Sequence, residues 1–244
     1  MPKNMLKIDL HIHTIASGHA HCTIWEYIQQ AKKLKMKAIG ITEHGPSSTE
    51  ALVSFIYFRE LGRIPKIIDG VRVLKGAEAN IINTKGDLDL DDETLKRLDY
   101  VMANIHPTTA YKNKGANINT KSIINTIKSG KINILTHPFV DKGLSSHIEE
   151  ISEEACKNDV LLEIDTAYLS ERRVNEAALQ RLKTMIDTVR KYNKKIIVGT
   201  DSHNIWELGD ISKLDKIKKE IGLTDNLIIN NYPKELFKLL KIDE

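Results

Sequence analysis

The chain has 244 residues, 41% hydrophobic and 28% charged, with 36 basic against 33 acidic side chains, a length that folds as one large domain without needing a disulfide or a structural metal. Thirteen glycines, six prolines and two cysteines (Cys22 and Cys156) exclude a collagenous chain or a disulfide scaffold and suit a reducing cytosol. With no basic block, no apolar signal segment and no run near the roughly 18 apolar residues of a membrane span, the expectation is a cytoplasmic domain over residues 1–244 that binds neither membrane nor nucleic acid.

Seven short runs rich in β-branched residues recur along the chain: Lys7–Thr14, Lys37–His44, Val71–Asn80, Tyr100–Pro107, Ile132–Phe139, Val160–Ala167 and Lys195–His203. Helix-period stretches lie between them. One begins near Trp25, with Trp25, Ile28 and Ala31 on one face. Another covers Asn175–Asn193, where Ala178, Leu182, Met185, Ile186 and Val189 fall at three- and four-residue steps. Strands that alternate with helices pair in parallel, because each return crossing is long enough to hold a helix. Seven such units predict an α/β fold whose sheet is a closed or nearly closed barrel. An open doubly wound sheet is the competing arrangement.

The histidines fall where such a barrel would use them. The first run ends in His11-x-His13, with His19 in the following loop; the second ends at Glu43-His44 and the third at Glu78. His106, His137 and Asp201-x-His203 close the fourth, fifth and seventh. Barrel active sites sit at the C-terminal ends of the strands, where the loops converge. Residues two apart on a strand face the same way, which pairs His11 with His13 and Asp201 with His203. A single histidine on an apolar strand is usually a packed core residue. A cluster of buried imidazoles without a charged partner is costly, and that argues for metal. Seven histidines, Glu78 and Asp201 supply ligands for two or three ions at three or four ligands each. Three divalent ions less two carboxylates leave about +4, a site for phosphate and hydroxide, and an imidazole-rich shell favours zinc, manganese or iron over magnesium.

The strings Asp9-Leu-His-Ile-His-Thr14, Ile41-Thr-Glu-His-Gly-Pro46, Gly76-Ala-Glu-Ala-Asn80, Ile105-His-Pro107, Thr136-His-Pro138 and Gly199-Thr-Asp-Ser-His203 resemble the successive motifs of the PHP (polymerase and histidinol phosphatase) superfamily. Ser17-Gly-His-Ala-His21 is most similar to its YcdX-like phosphatase branch. The resemblance spans about residues 6–240. It implies a distorted (β/α)7 barrel with parallel strands, outer helices and a trinuclear metal centre. By that resemblance His11, His13, Glu78 and Asp201 hold one ion, Glu78 bridges to a second held by His106 and His137, and His19, His44 and His203 hold a third. Glu43 stands where the motif more often has Asp. His21 replaces a tyrosine-like residue and is expected in the pocket wall.

Other residues carry weaker signals. His147 reads as an exposed position at a helix start. Asp87-x-Asp89-x-Asp91 fails a calcium loop, having Asp92 and Leu98 where Gly and Glu are needed, and reads as a turn before a helix. Cys22 lies beside the histidine cluster but has no base-and-orienter arrangement, and reads as a bystander. Of Glu163 and Asp165, one is expected to face the barrel interior, with no metal role. Arg172 and Arg173 lie on the expected rim, where Arg172 is a candidate phosphate fork. The loop Pro107–Lys121 reads as a lid or substrate-binding element.

Together these predict a metal-dependent phosphoesterase acting on a small phosphorylated metabolite or nucleotide. Glu78, Asp201, His203 and Arg172 would carry catalysis with three divalent ions, zinc foremost and manganese or iron as alternatives. Homo-oligomerisation is left open. Histidinol phosphatase is the nearest rival. A 3′–5′ exonuclease lacks its basic groove, and an amidohydrolase would bridge its metals with a modified lysine. A non-catalytic, metal-stabilised interaction module is the rival of another class, and it would be expected to have lost ligands.

Overall fold

The computed structural model describes residues 5–49, 51–140, 146–170 and 174–243. Eight strands are β1 (Ile8–Asp9), β2 (Ala38–Ile41), β3 (Ile67–Ile68), β4 (Val71–Asn80), β5 (Tyr100–Asn104), β6 (Ile134–Leu135), β7 (Leu161–Asp165) and β8 (Ile197–Gly199). Seven pair in parallel in the order β1-β2-β4-β5-β6-β7-β8. This is the expected strand set, with shorter limits except for β4, which keeps Val71–Asn80. β3 is an addition, pairing antiparallel with the start of β4 through Ile68 opposite Val71. Asp69 and Gly70 between them have φ of 52° and 82°, the turn that Asp-Gly favours because its twist suits a hairpin.

The helices α1 (Ile24–Lys33), α2 (Phe55–Glu60), α3 (Asp92–Leu95), α4 (Ala116–Lys128), α5 (Ile148–Lys157), α6 (Glu176–Lys191), α7 (Ser212–Ile217) and α8 (Pro233–Leu239) fill the intervals. Thr23 and Glu26 cap α1 reciprocally. α1 buries Tyr27, Ile28 and Ala31, whereas Trp25 is 57% exposed, which corrects the expected face. Trp25 and Tyr27 are two positions apart, about 200° of helix rotation, so both cannot face the sheet. α6 buries Ala178, Leu182, Met185, Ile186 and Val189, as its periodicity predicts.

The barrel is nearly closed and distorted at one seam. Between β8 and β1 the backbone contributes only His13 N–H to Ser202 O (2.9 Å) and Ser202 N–H to His11 O (3.2 Å) among the described residues. Lower down, the buried Asn230 amide takes the place of ladder bonds. It donates to Ile8 O (2.9 Å) and Val198 O (2.8 Å) and accepts from Val198 N–H (2.9 Å).

The lower interior is apolar: Ile8, Leu74, Met102, Ile134, Leu161 and Ile197 pack together, closed beneath by Leu236, Phe237 and Leu240. Tyr100 lies across this layer and donates to Leu10 O at 2.6 Å. A Cβ at Gly40 or Gly76 would collide with its ring or hydroxyl, so these two glycines make its room. No helix of the described residues is long and apolar enough to cross a membrane.

Candidate metal centre

Moving up the inward-facing positions, two residues at a time, the lining changes from apolar to polar. β4 presents Leu74, Gly76, Glu78 and Asn80; β7 presents Leu161, Glu163 and Asp165; β8 leads through Ile197 and Gly199 to Asp201. The flanking residues Ala77, Ala79, Leu162, Ile164 and Val198 pack outward in the core beneath the helices. At the C-terminal end of the barrel the strand termini bring His11, His13, Glu78, His106 and His137 together, all buried, with His44, Asp201 and His203 partly so.

Glu78 lies at the centre. Its Oε1 is 3.0 Å from both His106 Nε2 and His137 Nε2. Its Oε2 is 2.6 Å from His44 Nδ1, 3.4 Å from His13 Nε2 and 3.5 Å from His11 Nε2. Asp201 Oδ1 lies 3.0 Å from His13 Nε2 and 3.5 Å from His11 Nε2. His203 Nε2 approaches His19 Nε2 to 2.8 Å, and the His19 ring stacks on His44 at 5.2 Å between centroids.

The outer nitrogens fix which way these rings are protonated, because a hydrogen bond to an acceptor needs the proton there. His106 Nδ1 donates to Asn80 Oδ1 (2.7 Å). The Asn80 amide is itself oriented by donating from Nδ2 to Gly45 O and Asp89 Oδ2. His203 Nδ1 donates to Asp201 O (2.7 Å), His19 Nδ1 to Ser17 O (3.3 Å) and His11 Nδ1 to Glu163 Oε1 (2.9 Å). In the neutral rings, Nε2 then carries a lone pair, and these lone pairs point at carboxylate oxygens or at each other. Lone pair against lone pair is repulsive unless a cation or extra protons lie between. Consistent with this, His11 Nε2, both His13 ring nitrogens, Glu78 Oε2 and Asp201 Oδ1 are buried without a hydrogen bond, an exception that calls for an ion. Donor atoms of His13, His44 and His203, of His11, His13 and Asp201, and of Glu78, His106 and His137 each gather within 4.8 Å, as groups that could hold a metal.

Without an ion, protons serve as the counter-charge. Burial disfavours charge on His13, but Asp201 and Glu78 outweigh it and lift the imidazole to about 9. Burial likewise opposes charge on His11, where Glu163, Glu78 and Asp201 hold it well above its ordinary value. Burial takes His44 down to about 4. Despite burial, Glu78 is held well below the usual carboxylate range by His44, His106 and His11, and Asp201 is held low by His11 and His13. Carboxylates and imidazoles thus balance one another in an enclosed space, which is the charge pattern a divalent ion replaces.

The cluster opens into a cavity of about 610 Å³ whose wall includes Thr108, Tyr168, Ser170 and Lys213. Lys213, in the first turn of α7, is a cation that the sequence did not single out. Arg172, the expected phosphate fork, and its neighbour Arg173 lie outside the described residues. His21 is exposed and not part of this wall, contrary to expectation; its N–H donates to His203 O (2.8 Å). The expected long loop ends at Gly115, where α4 begins, and is pinned by buried Tyr111 against Ser122 (2.8 Å). Pro107 and Thr108 still line the cavity. Glu163 and Asp165 both face inward, not one alone. Asp91 caps α3 as the turn reading predicts. Asp89 does more: it accepts from Asn80 N–H (2.8 Å), Asn80 Nδ2 (2.6 Å) and Ser47 N–H (2.9 Å), and so steadies the residue that orients His106. Glu43 is buried, accepts from Thr14 N–H, the Thr14 hydroxyl and Tyr57 Oη, and lies 3.9 Å from His13 Nδ1. His147 is exposed at the start of α5, and Cys22 is buried and free.

Comparison with known proteins places this site in a family. A family model for the PHP domain matches residues 9–196. A "Probable phosphatase" of Clostridium botulinum (strain Hall) is 35% identical over 234 residues, 96% of this chain and 94% of that protein. One of Proteus mirabilis (strain HI4320) is 36% identical over 239 residues, 97% of this chain and 95% of that protein. Among solved structures, the fold is similar to a histidinol phosphate phosphatase of Lactococcus lactis in complex with zinc, L-histidinol and phosphate. It has 16% identity and a TM-score of 0.61, and the match covers 89% of this chain and 94% of that one. A chain in archaeal ribonuclease P with mature tRNA is also similar, at 14% identity and a TM-score of 0.64, covering 96% and 90%. These structural likenesses show the barrel alone. The family-model match and the full-length relatives show more, and the chain belongs to the PHP-domain family, among its phosphatases.

Proposed function

We propose that this chain is a metal-dependent phosphomonoesterase acting on a small phosphorylated metabolite or nucleotide, with three divalent transition-metal ions, zinc foremost and manganese or iron as alternatives. The observation that supports it is the convergence of lone pairs: four outer ring nitrogens are spent on acceptors, and the inner ones face Glu78, Asp201 or one another. In this reading His11, His13, Glu78 and Asp201 hold one ion. Glu78 shares a second with His106 and His137, and His19, His44 and His203 hold a third. When bound, such ions supply Lewis acidity toward phosphoryl oxygens and an activated water near neutral pH.

The chain's own residues then divide the remaining work. Glu78 keeps two subsites adjacent, one per oxygen. Asp201 and His203 act through the ions they hold. Lys213 in the cavity wall offsets phosphate charge, with Arg172 as the second cation expected from the sequence. The cavity, about 610 Å³, is large enough for a small phosphate ester.

A panel of phosphate esters, histidinol phosphate among them, assayed on metal-reconstituted protein tests this. The expected result is turnover of one or more monoesters, abolished by a chelator, with close to three ions per chain. Histidinol phosphate as the best substrate would select the rival within the class. A loaded protein that hydrolyses none of the panel would move the reading to a metal-stabilised interaction module.

A further inference from the structure

Glu163 is buried in the barrel wall and is not among the metal ligands of the reading above. Its two carboxylate oxygens go to two different places. Oε1 accepts from His11 Nδ1 at 2.9 Å, and Oε2 accepts from the backbone N–H of His137 at 3.1 Å. His11 faces Glu78 Oε2 and Asp201, while His137 faces Glu78 Oε1. One carboxylate therefore touches a donor from each of two subsites, on the side away from Glu78. Two further observations mark the position as built. His137 has φ of +34°, a backbone conformation that a non-glycine residue keeps only when held, and its own N–H is what Glu163 holds. On the neighbouring strand Gly199 leaves the space, since a Cβ there would collide with the Glu163 carboxylate and His11 Cβ.

We propose that Glu163 is a positioning residue that couples the two metal subsites sharing Glu78, so that disturbing it weakens both ions together; the inference rests on the metal-dependent reading above. His11, Glu163 and Asp165 also gather as a fourth donor group, but that group is not a further ion site. The lone pair that an ion would need on His11 Nδ1 is replaced by the proton given to Glu163. Two N–H donors require two acceptors, and only a carboxylate supplies them. In Glu163→Gln one donor must meet an NH2 group, and whichever one it is, the shared strand ends shift.

The test is a chelator-buffered zinc titration of the full chain, wild type against Glu163→Gln and Asn80→Ala, followed by Co²⁺ substitution to read ligand geometry by d–d absorption. Removing an outer partner of a metal-bound histidine weakens its ion by about 10–100-fold. Asn80→Ala is expected to weaken one ion by that factor, because His106 is the one ligand ring to which the Asn80 side chain hydrogen-bonds. Glu163→Gln is expected to weaken two ions together and to alter both cobalt signatures, with the total number of sites unchanged. If Glu163→Gln does not fold, Glu163→Asp, which keeps both acceptors one methylene further back, is expected to show the same paired weakening to a smaller degree. Glu163 variants that load like wild type, or lose affinity for a single ion, overturn the coupling. Loss of an entire site would mean that Glu163 is a ligand, which also overturns it. A wild-type chain that binds no ion removes the metal reading and this inference with it.

Discussion

Glu78→Gln separates a catalytic centre from a structural one. The carboxylate presents Oε1 to His106 and His137, both at 3.0 Å, and Oε2 to His44, His13 and His11 at 2.6, 3.4 and 3.5 Å. Glutamine keeps the volume but replaces one oxygen by an NH2 donor and removes a negative charge. Whichever way the amide turns, one of the two nitrogen sets meets a hydrogen-bond donor where it needs an anionic ligand. With three or four ligands per ion, losing this one leaves the His106–His137 subsite with two protein ligands, or strips the His11–His13–Asp201 subsite of its second carboxylate. The expected outcome is about one ion fewer per chain. Turnover should fall by about 10²–10³, equivalent to about 2.7–4 kcal/mol of transition-state stabilisation. Elemental analysis, kcat on a phosphomonoester and circular dichroism read the three quantities. The spectrum should be unchanged, because the apolar layer that closes the barrel beneath lies outside the substitution. Near-wild-type turnover with full occupancy would refute the bridging argument, and global unfolding would show that the centre is there to hold the fold.

Three further outcomes follow from the same geometry. In chelator-treated protein, His13 has a folded pKa of about 9 against an ordinary 6.5. Its contribution to stability is therefore complete below about 6.5 and lost as pH rises through about 9. The Tm of metal-free protein should fall across that window, while metal-loaded protein, whose ligand histidines are already deprotonated, should not show this fall; a flat or rising metal-free profile would contradict the assignment. Asn230→Ala removes three buried hydrogen bonds across the barrel seam and should cost about 2–4 kcal/mol, read by urea denaturation, at little cost in metal content. Gly76→Ala drives a methyl group into the Tyr100 ring and should destabilise by about 1–3 kcal/mol; an unchanged denaturation midpoint would mean that the ring is free to move.

The sequence made the strand ends legible because two simple rules meet there. Period two aligns His11 with His13 and Asp201 with His203, and parallel strands deliver their C-termini to one rim. The supporting groups were not legible, for a definite reason. Glu163 is 152 residues from His11, Asn230 is 222 from Ile8, and Asn80 is 26 from His106. Nothing local distinguishes these side chains from ordinary strand or loop residues; only the closed barrel brings each to its partner. Asp89 illustrates the limit, because the Asp87-x-Asp89-x-Asp91 spacing correctly suggests a turn and a helix cap yet does not disclose that the middle residue buries itself against Asn80. Trp25 fails differently: three-residue spacing to Ile28 fits an apolar face, but Tyr27 and Ile28 together choose a face that excludes it.

The same seven strands thus build two different interiors, and their order explains why the centre can be charged at all. Below, Ile8, Leu74, Met102 and Ile134 pack together with Leu236 and Phe237 of α8, an apolar layer whose burial needs no ion. Above, buried carboxylates and imidazoles face one another with six of their atoms lacking hydrogen bonds, an arrangement that costs stability wherever it is not compensated. A small zinc-dependent fold cannot separate these two layers, because its ions are its core. Here the lower layer carries the strained upper one. The donors can therefore be held close together before any ion arrives, and the orienting bonds from Asn80, Glu163, Ser17 and Asp201 keep their lone pairs converging. Preorganisation of that kind leaves an ion's charge available to a substrate anion in the cavity instead of spending it on assembling the site.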